Sequence, residues 1–436
     1  MTKVTQEEVL RFLNAGGGKT ARELCARFSV SQPTMSRILS AAAGRIVPVG
    51  RGPRSRYFSA REKIPLPVFF VDESGFSTLL GRLFVLHGGF YFETKNAAPA
   101  LFGREFPDGF FDSLPWFIYE MRPQGYVGRA IARALRGEGF PPDPRDWSDD
   151  QILLYLTSRG EDAPGALVVG ERSRARFLSA EPERVSALAR ERAYPKLADR
   201  AISGGAPGSS AAGEQPKFPA VREDADGSLT HVLVKFSGDC AVPAEERRAD
   251  LLIAEFWAGE TLRDAGFPVP AAELIFSEGR CFLESERIDR IGARGRRWTC
   301  SLASVEPALI GSGGGSWSAA ARAGTDLGIF SRETADKVAA AENFGAAIGN
   351  DDMHWGNLSF IVTPEFPFAL APLYDMSPMA YRVREDSSFP TSPLPLRAPD
   401  DAAARTARDF WTRVAEDGRV SSAFREIART HARANP

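Results

Sequence analysis

Toward its C-terminal end the chain reads Gly349-Asn350-Asp351-Asp352-Met353-His354-Trp355-Gly356-Asn357, and Leu373-Tyr374-Asp375 follows. Asp352 stands five residues before Asn357, in the spacing D-x-H-x-x-N. An aspartate on such a loop can face a substrate hydroxyl and accept its proton. The amide oxygen of Asn357 and the carboxylate of Asp375 are hard donors of the kind Mg²⁺ takes. Upstream, Lys235 lies in an apolar run, His231-Val232-Leu233-Val234-Lys235-Phe236, and Glu255 follows twenty residues later. A strand lysine paired to a helix glutamate is how kinases hold nucleotide phosphates. A base, two metal ligands and a phosphate-binding lysine together make the apparatus of phosphoryl transfer. Each part alone has a plainer reading. Asp and Asn close turns through local hydrogen bonds, lone charges are commonly satisfied at the surface, His354 reads better as a loop histidine than as a base, and Trp355 can simply pack. Their order along one chain favours the chemistry.

Such a constellation needs elements to hold it. Residues 358–362 and 368–373 read as two strands of a hairpin, with Asn357 before the first and Asp375 after the second, so both ligands arrive at one end. Residues 231–236 read as a strand, whose buried lysine requires an anionic partner. Residues 249–265 read as an amphipathic helix, with Leu252, Phe256 and Leu262 on its apolar side and Glu255 upon it. Ser203–Ala212 and Gly311–Ser316 are rich in Gly and Ser. The first leads into Lys217-Phe218. Its small residues would let backbone N–H groups approach phosphates. It is neither a Walker A motif nor GxGxxG, and alone it reads as a linker. Residues 61–120 read as strand-rich, and helices are expected at 126–137 and 149–159.

The first sixty residues differ in kind. Helices are expected at residues 5–15, from Thr20 (with Glu23 three residues on) and from Ser31 or Gln32, with Pro33 in the first turn. Residues 45–49 and 54–58, joined through Gly50-Arg51-Gly52-Pro53, read as a basic β-hairpin. Three short helices and a basic hairpin resemble a winged helix-turn-helix. Its third helix offers Gln32, Thr34, Ser36 and Arg37 to base edges, and its hairpin offers Arg51, Arg54 and Arg56 to phosphates. A helical docking domain with a solvated basic face is the bland alternative.

Charge separates this head from the body. Residues 1–60 carry ten Lys/Arg and three Asp/Glu, a net +7, whereas the rest of the 436-residue chain carries −9. A basic head on an acidic body points to DNA for the head and disfavours a DNA path, and hence a nuclease, in the body. A hydrophobic fraction of 43% and a charged fraction of 25% are those of a globular protein and exclude a disordered chain. The four cysteines lie far apart, so neither a zinc cluster nor a disulfide framework is expected. No apolar run is long enough to span a membrane, and a cytoplasmic protein is expected.

The ordered set Ser210-Ala-Ala-Gly-Glu-Gln215-Pro-Lys217, Lys235, Glu255, Phe282-Leu-Glu-Ser-Glu286-Arg287-Ile288-Asp289-Arg290, Asp352-x-His354-x-x-Asn357 and Leu373-Tyr374-Asp375 resembles the HipA family of bacterial serine/threonine kinase toxins. With the strand-rich part before it, the resemblance spans roughly residues 65–436. It implies an α+β fold: a bilobal protein-kinase-like body behind the small winged helix-turn-helix. The divisions expected are 1–62, 63–160 and 161–436, with a hinge near 284–290 and a helical C-lobe at 291–436. It implies ATP and Mg²⁺ as cofactors, with Asp352 as base and Asn357 and Asp375 on the metal. Lys235 would serve the phosphates with Glu255 as its partner, Lys217 and Gln215 would join them in binding the cofactor, and Glu286 to Ile288 would contact the adenine. Ser210, or its neighbour Ser209, matches a loop serine that family members autophosphorylate, which silences the kinase. The acceptor implied is a protein serine or threonine. The loop departs from the family pattern in reading GEQPK. The fused head resembles a YjjJ-like subgroup, and whether a separate antitoxin partner is needed stays open, as does a homodimer on DNA. A DNA-binding regulator with a nucleotide-sensing body, and a small-molecule kinase, are the competing readings.

Overall fold

The computed structural model describes residues 4–94, 98–203 and 215–434. Ser209 and Ser210 lie outside them. The head forms first. Helices Gln6–Asn14 and Ala21–Phe28 each begin with a reciprocal capping box, Thr5 with Glu8 and Thr20 with Glu23. The third helix, Gln32–Ala41, starts at Ser31 with Pro33 in its first turn. Val9, Leu10, Leu13, Leu24, Met35, Leu39 and Ile46 close a small core between the helices. Strands Ile46–Val49 and Arg56–Ser59 pair antiparallel as expected, and a short strand at Lys19–Thr20, not foreseen from the sequence, pairs with Arg56–Tyr57. Gly18 precedes that strand because a Cβ there would fall 2.3 Å from the Phe58 ring.

The middle region is a five-stranded sheet in the order Phe110–Phe111, Gly89–Glu93, Ser77–Leu86, Leu66–Val71, Leu167–Val169. Its last strand shows that a boundary at residue 160 cuts the unit short. Residues 167–169 pair with 68–70, and helix Glu171–Ser179 follows. This sheet and the head share a second apolar cluster, in which Val47, Val49 and Phe58 of the head meet Leu86. Phe58 stacks on Phe110 with ring centres 4.7 Å apart.

A second five-stranded sheet follows, in the order Ala272–Ser277, Arg280–Glu286, Leu229–Phe236, Lys217–Glu223, Arg184–Ser186. Helix Arg190–Ser203 covers one face, with Tyr194 sealing a core of Phe218, Phe236 and Phe282. The other face receives helix Pro243–Asp264. This helix was expected to be amphipathic. Instead Leu251, Leu252, Ile253, Ala254, Ala258 and Leu262 are all buried, because the sheet lies on one side and helix Asp401–Glu416 on another. Beyond it comes a helical lobe built on Trp317–Asp326, Arg332–Ile348, Asp401–Glu416 and Ser422–Ala434, with a small sheet of Thr299–Ser301, Ser359–Ile361 and Ala369–Leu370 at its edge. Among the described residues no helix is long and apolar enough to cross a membrane.

Candidate active site

The central strand Leu229–Phe236 places Lys235 one residue from its end, buried at 7% exposure. Helix Pro243–Asp264 brings Glu255 to it, with Lys235 Nζ donating to Glu255 Oε1 at 2.6 Å. The same ammonium also donates to Asp375 Oδ1. One lysine thus ties together a strand of the sheet, the central helix and the segment after the hairpin. Burial alone would drive Lys235 toward the neutral amine, but the carboxylates of Asp375 and Glu255 outweigh it and hold the ammonium above the usual lysine range. Burial also pushes the Asp375 carboxyl up, and there Lys235 and then Lys217 win, leaving it well below the carboxylate range. For Glu255 burial prevails over the pull of Lys235 and its affinity for a proton rises.

Lys217 is the direct cross-strand partner of Lys235 in the antiparallel pair, so the two side chains leave the same face. The carbonyl of Pro216 accepts from Phe236 N, which lays Gln215 beside the end of the lysine strand. Glu286 closes the neighbouring strand, in register with Val232. Three residues separate that register from Lys235, about 10 Å along the strand. Ile288 follows at the turn beyond, where Arg287 donates to Asp289 and Arg290 reaches back to Asp162 and Gly165 of the middle region. The span 284–290 is therefore a braced connection rather than a loose one.

Helix Arg332–Ile348 ends at Gly349, whose φ of +80° turns the chain where any Cβ would press on Leu396. The loop that follows is built by its own polar groups. Asn350, buried, accepts from Asp352 N at 3.1 Å. Asn357 Nδ2 donates to the Asp352 carbonyl at 2.9 Å, which leaves the Asn357 amide oxygen to a ligand. His354 caps the short turn Trp355–Asn357 by accepting from Gly356 N, the structural loop role foreseen for it. The hairpin forms with Phe360 opposite Leu370, and its far end is clamped by Tyr374, whose hydroxyl donates to the Gly356 carbonyl at 3.0 Å. That bond joins the residue before Asp375 to the residue before Asn357. Asp375 itself has φ +56°, a left-handed conformation tolerated by Asp and concentrated at functional sites. The donor set of Asn357 and Asp375 fits a hard divalent cation. Partial burial raises the Asp352 carboxyl, with His354 and Arg382 pulling it part of the way back.

Arg382 was not singled out from the sequence. Its guanidinium donates to Asp351 at 2.5 Å and to the Met379 carbonyl, holding the loop from outside. No spacing signal marks it, since it lies thirty residues away in an irregular segment. In the head, Gln32, Thr34, Ser36 and Arg37 are exposed on the third helix while Met35 and Leu39 face inward. Arg51 and Arg54 are exposed at the hairpin tip. Arg56 is spent differently: its guanidinium donates twice to the Gly18 carbonyl, at 3.1 and 2.9 Å, and lies over the Phe58 ring.

Residues 62–178 match a family model described as the YjjJ-like toxin middle domain, and residues 209–435 match the HipA-like C-terminal domain. The curated Toxin YjjJ of Escherichia coli (strain K12) is 34% identical over 427 residues, 94% of each chain. A chain in the solved complex of HipA, HipB and operator DNA from Shewanella oneidensis MR-1 superposes with a TM-score of 0.51, over 85% of this chain and 96% of that one, at 16% identity. That likeness establishes the mixed helix and strand fold. The chain belongs to the HipA-like family, in its YjjJ-like branch.

Proposed function

We propose that this chain is an ATP- and Mg²⁺-dependent serine/threonine protein kinase with a fused DNA-binding head. The observation that carries the reading is Lys235 paired at once with Glu255 and Asp375. A structural ion pair needs one carboxylate; a lysine poised between two, beside Lys217, is suited to anionic phosphates. In this reading Lys235 and Lys217 bind phosphate oxygens, Glu255 orients Lys235, and Glu286 and Ile288 border the adenine. Asn357 Oδ1 and Asp375 would hold Mg²⁺, which when bound neutralises charge on the phosphates. Asp352, raised by burial, takes the proton from the acceptor hydroxyl. Ser210 or Ser209 is the self-phosphorylated position of this proposal.

The head supports a DNA role through its exposed third-helix face and its +7 charge. The Shewanella complex contains operator DNA and HipB, which supports a toxin–antitoxin setting for the family. A nucleotide-sensing regulator is the second reading, and the head is what favours it. Calorimetry separates the parts. ATP should bind wild type with Mg²⁺, Asp375→Ala should lose the Mg²⁺-dependent part, and Lys235→Met should lose at least tenfold in affinity. Unchanged affinity in Lys235→Met would reject the phosphate assignment.

A further inference from the structure

The middle region has no part in the apparatus above, yet it grips the connection on which the adenine would rest. Asp162, closing the short turn after helix Asp149–Arg159, stands at the centre of that grip. Its two carboxylate oxygens each accept from Arg287 Nη1 at 3.2 Å, and Oδ1 also accepts from Arg290 Nη2 at 2.8 Å. The bonds continue along the backbone. Arg290 Nη2 donates to the carbonyls of Asp162 and Ala163 at 3.2 and 2.9 Å, and Nη1 to that of Gly165 at 3.1 Å. Gly165 N in turn donates to Asp289 Oδ2 at 2.9 Å. Asp289 and Arg290 are buried.

Arg287 and Asp289 flank Ile288 directly. Arg287 N also donates to the His231 carbonyl at 2.9 Å, on the strand that carries Lys235. The half-buried Ile288 peptide thus hangs between a residue tied to the lysine strand and one tied to the middle region. Its own N–H has no partner among the described residues. A free donor there can serve a ring nitrogen only as well as its neighbours hold it in place. Buried ion pairs add little stability over apolar residues of the same volume. Forked arginine–carboxylate contacts fix geometry, and here the geometry they fix is that of Ile288.

We propose that Asp162 is a positioning residue for the nucleotide: from the middle region it holds Arg287 and Arg290, and through them sets the Ile288 backbone against the purine base. This rests on the kinase reading of the cleft and deepens it. The middle region then belongs to the nucleotide site, and its share lies with the base rather than with the phosphates.

The test uses the full-length protein and two calorimetric titrations in Mg²⁺. One is with ATP and one with inorganic tripolyphosphate, which keeps the phosphates and lacks the base. The Asp162 side chain is 59% exposed, so Asp162→Ala removes the carboxylate without opening a cavity. Expected is a loss of about fivefold or more in ATP affinity, with tripolyphosphate affinity within about twofold of wild type. Asp162→Asn, which keeps the volume and one acceptor, should fall between wild type and Asp162→Ala for ATP. Lys235→Met should weaken both ligands. Unchanged ATP affinity in Asp162→Ala would overturn the proposal. So would an equal loss for ATP and tripolyphosphate, the mark of general damage to the fold. A wild type that binds ATP no more tightly than tripolyphosphate would also overturn it, since no base contact is then left to position. A wild type that binds neither ligand would instead remove the kinase reading, and the proposal with it.

Discussion

At the scale of residues, the site is an arrangement of charges that only makes sense as a group. Lys235 stays charged in a buried place because two carboxylates surround it, and Asp375 stays ionised because two lysines do. Removing one partner leaves an uncompensated buried charge, a loss of about 3–5 kcal/mol in comparable pairs. Lys235→Met should therefore unfold at a lower temperature than wild type, and Glu255→Gln, which keeps a hydrogen bond, should lose less; calorimetric melting compares them. Arg382 makes a separate prediction. It draws the raised Asp352 carboxyl downward and pins Asp351. Arg382→Gln should shift the acid limb of the kcat profile to higher pH, because the base then holds its proton further up the scale. An unmoved limb would sever Arg382 from Asp352. The meeting of Lys235, Glu255 and Asp375 was legible in the sequence from their types and order, and the Asp352–Asn357 loop from its local D-x-H-x-x-N spacing. Arg382 and the Tyr374 clamp were not, because each acts across an irregular stretch that no periodicity describes.

At the scale of elements, local rules placed most helices and strands, and tertiary burial decided the rest. The capping boxes at Thr5 and Thr20 and the proline in the third helix set their helices as expected. The helix carrying Glu255 lost its amphipathic look because neighbours cover more than one side. The strand Leu167–Val169 was missed because a three-residue buried run resembles any apolar segment. In the C-terminal helices His431 accepts or donates at 2.6 Å with the Tyr381 hydroxyl, inside an aromatic cluster with Trp411 and Phe424. Burial lowers its pKa to about 4. The unfolded chain takes up that proton near pH 6.5 and the folded chain does not. His431 thus contributes stability above that pH, and the contribution is lost as pH falls from about 6.5 toward 4. An NMR titration of the folded protein should find the ring neutral at pH 5.5; a midpoint near 6.5 would contradict its enclosure.

At the scale of the whole molecule, the head is not a tethered module. Phe58 stacks on Phe110, Ala60 bridges to Leu86, and Arg61 forms a two-point pair with Asp150 at 2.9 and 2.6 Å. Composition announced two parts with opposite charge, but nothing in the sequence disclosed that they share a core, since that core is assembled from residues far apart. Phe58→Ala should cost about 3 kcal/mol or more, and cutting the chain at residue 62 should expose Leu86 and Phe110 and lower the melting temperature of the remaining body. Under the proposed DNA role, the contacts fall to the third-helix face and to Arg51 and Arg54 at the hairpin tip. Arg51→Gln and Arg54→Gln should each lower the salt dependence of DNA binding by about one unit of slope, whereas Arg56→Gln should act first on stability, through Gly18 and Phe58.

The central claim is phosphoryl transfer from ATP by Asp352 within the Lys235, Glu255 and Asp375 cluster. It is tested most directly by incubating dephosphorylated protein with ATP and Mg²⁺, recording intact mass and mapping the modified peptide. A gain of one phosphate on Ser209 or Ser210 in wild type, absent in an Asp352→Asn variant that still binds ATP, is the predicted result. An equal gain in Asp352→Asn, or no gain in wild type despite bound ATP, would contradict it.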